Sequence, residues 1–238
     1  MRSTVLALVF AIIVAAPSAA DDIAETAVTT ALEKAKTQAA IRWAFTMTYT
    51  DKSEETPRAY KLRYDPRREK GAQWTLLEPA LNALSKEEKK ALKSIQKGEN
   101  SDDMLVYDKL NVDFKTATLL NVDDEKATYL VPLVSEDMPK KMREAIRMEV
   151  TVNKAGAFLE RVRLTADKPF KPAPVAKLET FSQVQDYAPT ADGAVLLRFS
   201  QSAASGKAVF KSFASKTTTE YSDFERVEVS APAAASGQ

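Results

Sequence analysis

The sequence predicts an α+β fold: one domain built on a strongly curved antiparallel sheet, with an N-terminal helix and inserted helices. Three observations predict it. Residues 22–40 repeat apolar side chains at spacings of three and four. Residues 41–50 switch abruptly to strict alternation, and the second half of the chain is a series of alternating segments divided by short glycine turns.

In the helix, Ile23, Ala27, Val28, Ala31, Leu32, Ala35 and Ala39 form one apolar stripe, with Glu25, Glu33, Lys34 and Lys36 elsewhere. Ile41, Trp43, Phe45, Met47 and Tyr49 then alternate with Arg42, Ala44, Thr46, Thr48 and Thr50, as a half-buried strand requires. Asp51 to Pro57 is a polar turn region, after which Tyr60, Leu62 and Tyr64 resume the alternation, so the two strands predict a hairpin. A third short strand covers Gln73 to Leu77. Ser85-Lys86-Glu87-Glu88 is a capping box, its hydroxyl and carboxylate satisfying free amides at a helix start. Ala91, Leu92 and Ile95 line one face of that helix, and Gly98 ends it. Residues 99–126 are mixed and acidic and carry no assignable pattern. Thr128 to Val134 reads as a strand. Glu136 to Arg147 reads as a helix with Met138, Met142, Ala145 and Ile146 on one face.

The meander follows. Met148, Val150 and Val152 alternate up to the turn Asn153-Lys154-Ala155-Gly156, and Phe158, Val162 and Leu164 alternate away from it. Two further glycine turns are predicted, at Thr190-Ala191-Asp192-Gly193 and Ala203-Ala204-Ser205-Gly206, with Val195, Leu197 and Phe199 between them. Val209 to Phe213 and Tyr221 to Val229 complete the strands. Lys168 to Pro174 holds three prolines and reads as an extended edge or connector.

The ends of the chain carry different information. Arg2, the apolar run Val5 to Ala16, and Pro17-Ser18-Ala19-Ala20 have the layout of a cleaved secretory signal, with small Ser18 and Ala20 where a signal peptidase requires them. The expected organisation is a signal over residues 1–20, one domain over 21–229, and a disordered small-residue tail at 230–238. Cleavage leaves roughly 218 residues, enough for one sizeable core. No segment is long and apolar enough to span a bilayer, so a transmembrane segment is not expected.

Composition narrows the chemistry. The chain has 34 Lys+Arg against 33 Asp+Glu, and the signal carries one base and no acid, so the exported protein is near neutral. That balance argues against nucleic acid as a partner. There is no Cys, so no disulfide supports the fold and no lipid attaches after the signal; a soluble periplasmic protein is expected. There is no His, which removes Ser-His-Asp and Cys-His catalysis and the usual zinc ligand sets. A non-enzymatic role is expected, with no cofactor and no metal.

Several patterns could still carry chemistry. Ser94-Ile95-Gln96-Lys97 fits the S-x-x-K signature of penicillin-binding enzymes, yet no S-x-N or K-T-G companion follows, since Lys216-Thr217-Thr218 lacks the glycine. It is read as coincidence. Asp102-Asp103, Asp113, Asp123-Asp124 and Glu125 could gather a hard cation such as calcium or serve a paired-carboxylate hydrolase. No stretch has calcium-loop spacing, so they are read as solvated loops. Arg67-Arg68-Glu69-Lys70 and Lys86 to Lys90 mix signs as solvated surface does.

The order of elements, with Trp43 and Phe45 on the first strand, resembles the outer-membrane lipoprotein carrier superfamily, the LolA/LolB-like proteins. Tyr64-Asp65-Pro66-Arg67, followed by Trp74 and Pro79, echoes that family's basic-proline stretch preceding a tryptophan. The resemblance covers most of residues 22–229. It implies a half-open barrel plugged by helices around an apolar cavity that shields acyl chains, with a basic residue, Arg63 or Arg67, holding the lid helices closed. The chain departs from the family by its greater length and by its C-terminal segment. On this reading Trp43, Phe45, Met47, Tyr49, Tyr60, Leu62, Tyr64, Trp74, Met138 and Met142 line the cavity. The same alternation also serves a filled core. The expected function is a monomeric periplasmic carrier for a lipid, a lipoprotein acyl chain or another amphiphile. The alternative is an envelope protein-interaction or sensing module with a filled core and a protein partner.

Overall fold

The computed structural model describes residues 19–53, 57–98, 105–107, 114–133, 140–173, 175–209 and 211–227. The apolar run of the expected signal, Asp102, Asp103, Asp113, Met138 and the tail Ser230–Gln238 lie outside the described residues.

Helical periodicity at the N-terminus gives α1, Ala19–Gln38. Its face Ala27, Val28, Ala31 and Ala35 is buried, and small alanine side chains let the helix lie close to the sheet. The abrupt change of period gives β1, Arg42–Asp51, and β2, Arg58–Tyr64, which pair as the predicted hairpin. Trp74–Glu78 is β3, at one edge of the sheet. Reciprocal bonds from the Ser85 N–H to Glu88 Oε2 at 2.8 Å and from the Glu88 N–H to Ser85 Oγ at 3.2 Å start α2, Lys86–Gly98. The Ser85 bonds hold the Glu88 carboxyl below its usual range.

The region without an assignable pattern contains Thr118–Val122, which is β4, the opposite edge. It also contains Leu105, Val106 and Tyr107, all buried. Lys126–Val131 is β5, shorter at its C-terminal end than the predicted strand. The predicted helix Glu136–Arg147 is corrected at its C-terminal end: α3, Lys140–Ala145, stops before Ile146 and Arg147, which open β6, Ile146–Asn153, while residues 136–139 lie outside the described residues. Ile146, Met148, Val150 and Val152 all bury, so the strand period begins where a helix was expected. Phe158–Ala166 is β7, and the proline-rich stretch supplies β8, Phe170–Ala173, a short strand beside β9, Ala176–Pro189.

Val195–Ala208 is β10, and here the glycine signal misleads. Ala203 to Gly206 is not a turn. It pairs with β9 on one side and with β11, Lys211–Val227, on the other. A Cβ on Gly206 would sit 2.1 Å from the Lys177 carbonyl oxygen, so the position needs glycine for close backbone approach. The chain turns later, at Val209, and β11 is one strand where two were predicted. Gly193, by contrast, does occupy a turn, with φ of +83°.

All neighbouring strands are antiparallel, and their order is β3-β2-β1-β11-β10-β9-β7-β6-β5-β4. The chain therefore starts mid-sheet, runs out to one edge, crosses to the other, and returns until β11 closes on β1. The two ends do not meet, so the sheet is open. β-bulges interrupt several ladders and raise local twist and bend. One of them places Asp223 at φ of +51°, a conformation aspartate tolerates. On one face α1 lies over β6 and β7. The buried Tyr107 hydroxyl donates to the Ala31 carbonyl and accepts from the Leu159 N–H, each at 3.4 Å, joining α1 to β7. Burial pushes its pKa up to about 12.

Candidate functional site

Strand alternation and register decide which predicted site residues meet. Phe45 pairs with Tyr64, Met47 with Leu62 and Tyr49 with Tyr60, while Leu62 and Tyr64 continue to Leu76 and Trp74. Partners in register share a face, so eight of the predicted residues form one wall across β1, β2 and β3. The wall is packed. Phe45 and Met47 are 0% exposed, Tyr64 1% and Trp43 2%. The Phe45 ring lies 5.2 Å from Tyr64, 5.6 Å edge-on from Trp74 and 5.8 Å from Tyr221. Tyr64 and Trp74 are 5.0 Å apart. The Tyr60 hydroxyl is buried without a hydrogen-bond partner among the described residues, and burial, then the nearby Glu88, raises its pKa. Met142 is not part of this wall. It is half-buried on α3, which packs on β6 and β8.

Arg63 pairs in register with Thr46, so it projects from the face opposite Tyr64 and Leu62. It donates to the Asp223 carbonyl at 2.7 Å and to Glu225 at 3.1 Å. Arg67 joins the same group, bonding Glu225 at 2.7 Å and Asp65 at 2.8 Å. The Arg67 guanidinium holds the Asp65 carboxyl below its usual range, and Thr46 and Ser222 do the same for Asp223. Arg63 on β2 and Arg67 in the turn after it tie this end of the hairpin to the bulged end of β11.

A different region has the shape of a binding site. Where β5 ends and α3 leads into β6, a cleft of about 610 Å³ opens. Lys140, Arg143 and Arg147 stand around it with Glu144 and Asp167. Leu130 and Leu133 are its partly exposed apolar residues, whereas Val131, Ile146 and Met148 border it from the buried face, the two β6 residues alternating with Arg147. Lys140 reaches Glu144 at 3.7 Å, and Arg147 reaches Glu149 at 3.0 Å. On the far side of α3 a second cleft of about 480 Å³ is bordered by Lys141, Lys168, Lys171 and Lys177, with Glu144 as its acid. Pockets of this size accommodate small molecules, with apolar walls and a few convergent polar groups. Sequence reasoning missed these residues because it extended the helix through Arg147. The signal was present in the alternation Ile146, Met148, Val150, Val152, which places Arg147 on a strand.

The remaining motifs fall only partly within the described residues. Asp123 Oδ1 accepts the N–H groups of Glu125 and Lys126 at 2.8 Å and 2.7 Å, which makes it a turn residue and lowers its pKa. Among the described residues no group of three or more Asp or Glu is placed to hold a metal ion. Ser94 is an exposed residue of α2. No described helix is long and apolar enough to cross a membrane. Comparison with known proteins returns no match to a family model, a curated protein or a solved structure, so fold and site rest on this chain's own residues.

Proposed function

We propose that the chain is an exported, non-enzymatic binding protein for an anionic amphiphile, a periplasmic carrier of lipid or acyl chains built on a half-barrel of the lipoprotein-carrier type. The cleft beside α3 carries this reading. The partly exposed Leu130 and Leu133 suit a hydrocarbon chain, and Lys140, Arg143 and Arg147 suit a carboxylate or phosphate near it. The ligand thus sits at the end of β5 and β6 rather than against Trp43 and Phe45, whose packing leaves no room for it.

Native mass spectrometry of protein purified from its own compartment, before and after organic extraction, tests the reading. A bound amphiphile lost on extraction is the expected result. Leu133→Arg, which blocks the apolar side of the cleft, should weaken uptake of a fluorescent fatty-acid probe by about tenfold or more. A ligand-free mass together with no probe uptake would sink the carrier reading.

A second reading takes its support from the filled aromatic wall: an envelope module that binds a protein instead of a small ligand. Leu77 at one sheet edge and Leu120 at the other are exposed, and open edges accept added strands. Cross-linking in the native compartment should then return one specific partner, and an empty result would count against it.

A further inference from the structure

Two turns stand side by side at the far end of the long strands β9, β10 and β11. The chain passes from β8 to β9 at Val175 and leaves β10 at Val209, whose N–H donates to the Val175 carbonyl at 3.0 Å. Val175 is 67% exposed, Val209 64% and the nearby Phe213 37%. Val209 has φ of +46°, a region that is strained for a β-branched residue and easy for glycine or asparagine. Its side chain gains little burial in return, so packing within this chain does not explain a valine there.

The charges around the tip are mainly basic. Residues 168–178 and 205–213 contain Lys168, Lys171, Lys177, Lys207 and Lys211, with Asp167 and Glu179 just outside these stretches and Glu144 across the second cleft, so bases outnumber acids there in a chain whose charges balance. All five lysines are exposed. Lys177 and Lys207 are directly paired across β9 and β10, where like charges repel unless an anion lies against them. Val175 and Val209 thus lie outermost at the turns, with Lys177, Lys207 and Lys211 two residues behind them and Phe213 farther back, opposite Gly206. That order matches the acyl and phosphate layers of a bilayer, and lysine stems can reach back to the head groups.

We propose that this tip docks on an anionic phospholipid surface, Val175 and Val209 entering the acyl boundary while the lysines behind them meet head-group phosphates. The proposal needs no cleft beside α3 and stands apart from the amphiphile reading.

Co-sedimentation of the full chain with phosphatidylglycerol-containing vesicles, against pure phosphatidylcholine vesicles, tests it. Binding to the anionic vesicles alone, falling steeply as salt is added, is expected. The pair Val175→Asp and Val209→Asp should weaken it by about tenfold or more. Aspartate accepts the backbone of position 209, and circular dichroism checks that the variant folds. Lys207→Ser with Lys211→Ser should lower binding separately, by about tenfold. Leu133→Arg should leave it unchanged, which separates this proposal from the fate of the cleft. Equal binding to both vesicle types, no binding, or capture only by an acidic protein would overturn it, as would valine variants that bind like the parent.

Discussion

Replacing Phe45 by alanine distinguishes a filled aromatic wall from a ligand cavity. The ring is 0% exposed and touches Tyr64 on β2, Trp74 on β3 and Tyr221 on β11. Burial of a phenylalanine contributes about 1.5–3 kcal/mol. Each aromatic pair adds about 0.5–1.5 kcal/mol beyond area. The neighbours are anchored on three different strands of one ladder, so they cannot close over the hole, and residual cavity costs about 24 cal/mol per Å³. The expected loss is therefore at the upper end of the range for such substitutions, about 4–5 kcal/mol. At about 2–4 °C per kcal/mol for a chain of this size, Tm should fall by about 10–15 °C. Equilibrium urea unfolding followed by fluorescence of Trp43 and Trp74 measures it, with an unchanged m-value confirming a two-state comparison. A loss below about 1.5 kcal/mol, little more than removing a half-exposed ring, would mean that Phe45 borders open space and that the packing argument is wrong.

Two more expectations concern backbone approach and protonation. Gly206→Ala should cost about 2–3 kcal/mol, because its Cβ meets backbone of the neighbouring strand, and should speed hydrogen exchange at the β9–β10 end. Gly193→Ala, with open space around it but φ of +83°, should cost only about 1 kcal/mol; equal effects would contradict the register. Tyr107 has its pKa raised by burial from 10.0 to about 12. Its contribution is thus full below pH 10, and it is lost as pH rises toward 12, because the unfolded chain releases the proton first. Tyr107→Phe should flatten the fall in urea midpoint over that window while costing about 1 kcal/mol at neutral pH for the lost hydrogen bonds. A slope identical to the parent's would refute the assignment, although the buried Tyr187, also raised by burial, leaves part of the slope in place.

The first hairpin was legible because Trp43 to Tyr49 alternate large apolar residues with small or polar ones, although the strand is not half-buried as expected: Ala44 and Thr46 on the other face are buried as well. The capping box was legible because both partners lie within one turn of helix. What failed depended on distant chain. Ala203-Ala204-Ser205-Gly206 has the composition of a turn, but the Lys177 carbonyl of another strand is what demands glycine there. Residues 105–107 show no local period, yet Leu105 accepts the Leu197 N–H at 2.8 Å and buries against the sheet. Register brings the aromatic residues of β1, β2 and β3 to one face, whereas the cleft was missed because Ile146 and Arg147 were read as the end of a helix rather than the start of β6.

By itself the sequence determined the chemistry that this chain lacks, the antiparallel class of its sheet, and which side chains of β1 and β2 share a face. Those follow from composition and from periods set within a few residues. The tertiary structure alone decided that Trp43, Phe45, Met47 and Tyr64 are buried, that Arg63 and Arg67 both pair with Glu225, and that cationic groups gather beside α3 and at the tip of β9 to β11. These are juxtapositions of residues far apart in the chain. Local propensity carries no information about them, because packing between distant strands sets what each side chain finally meets.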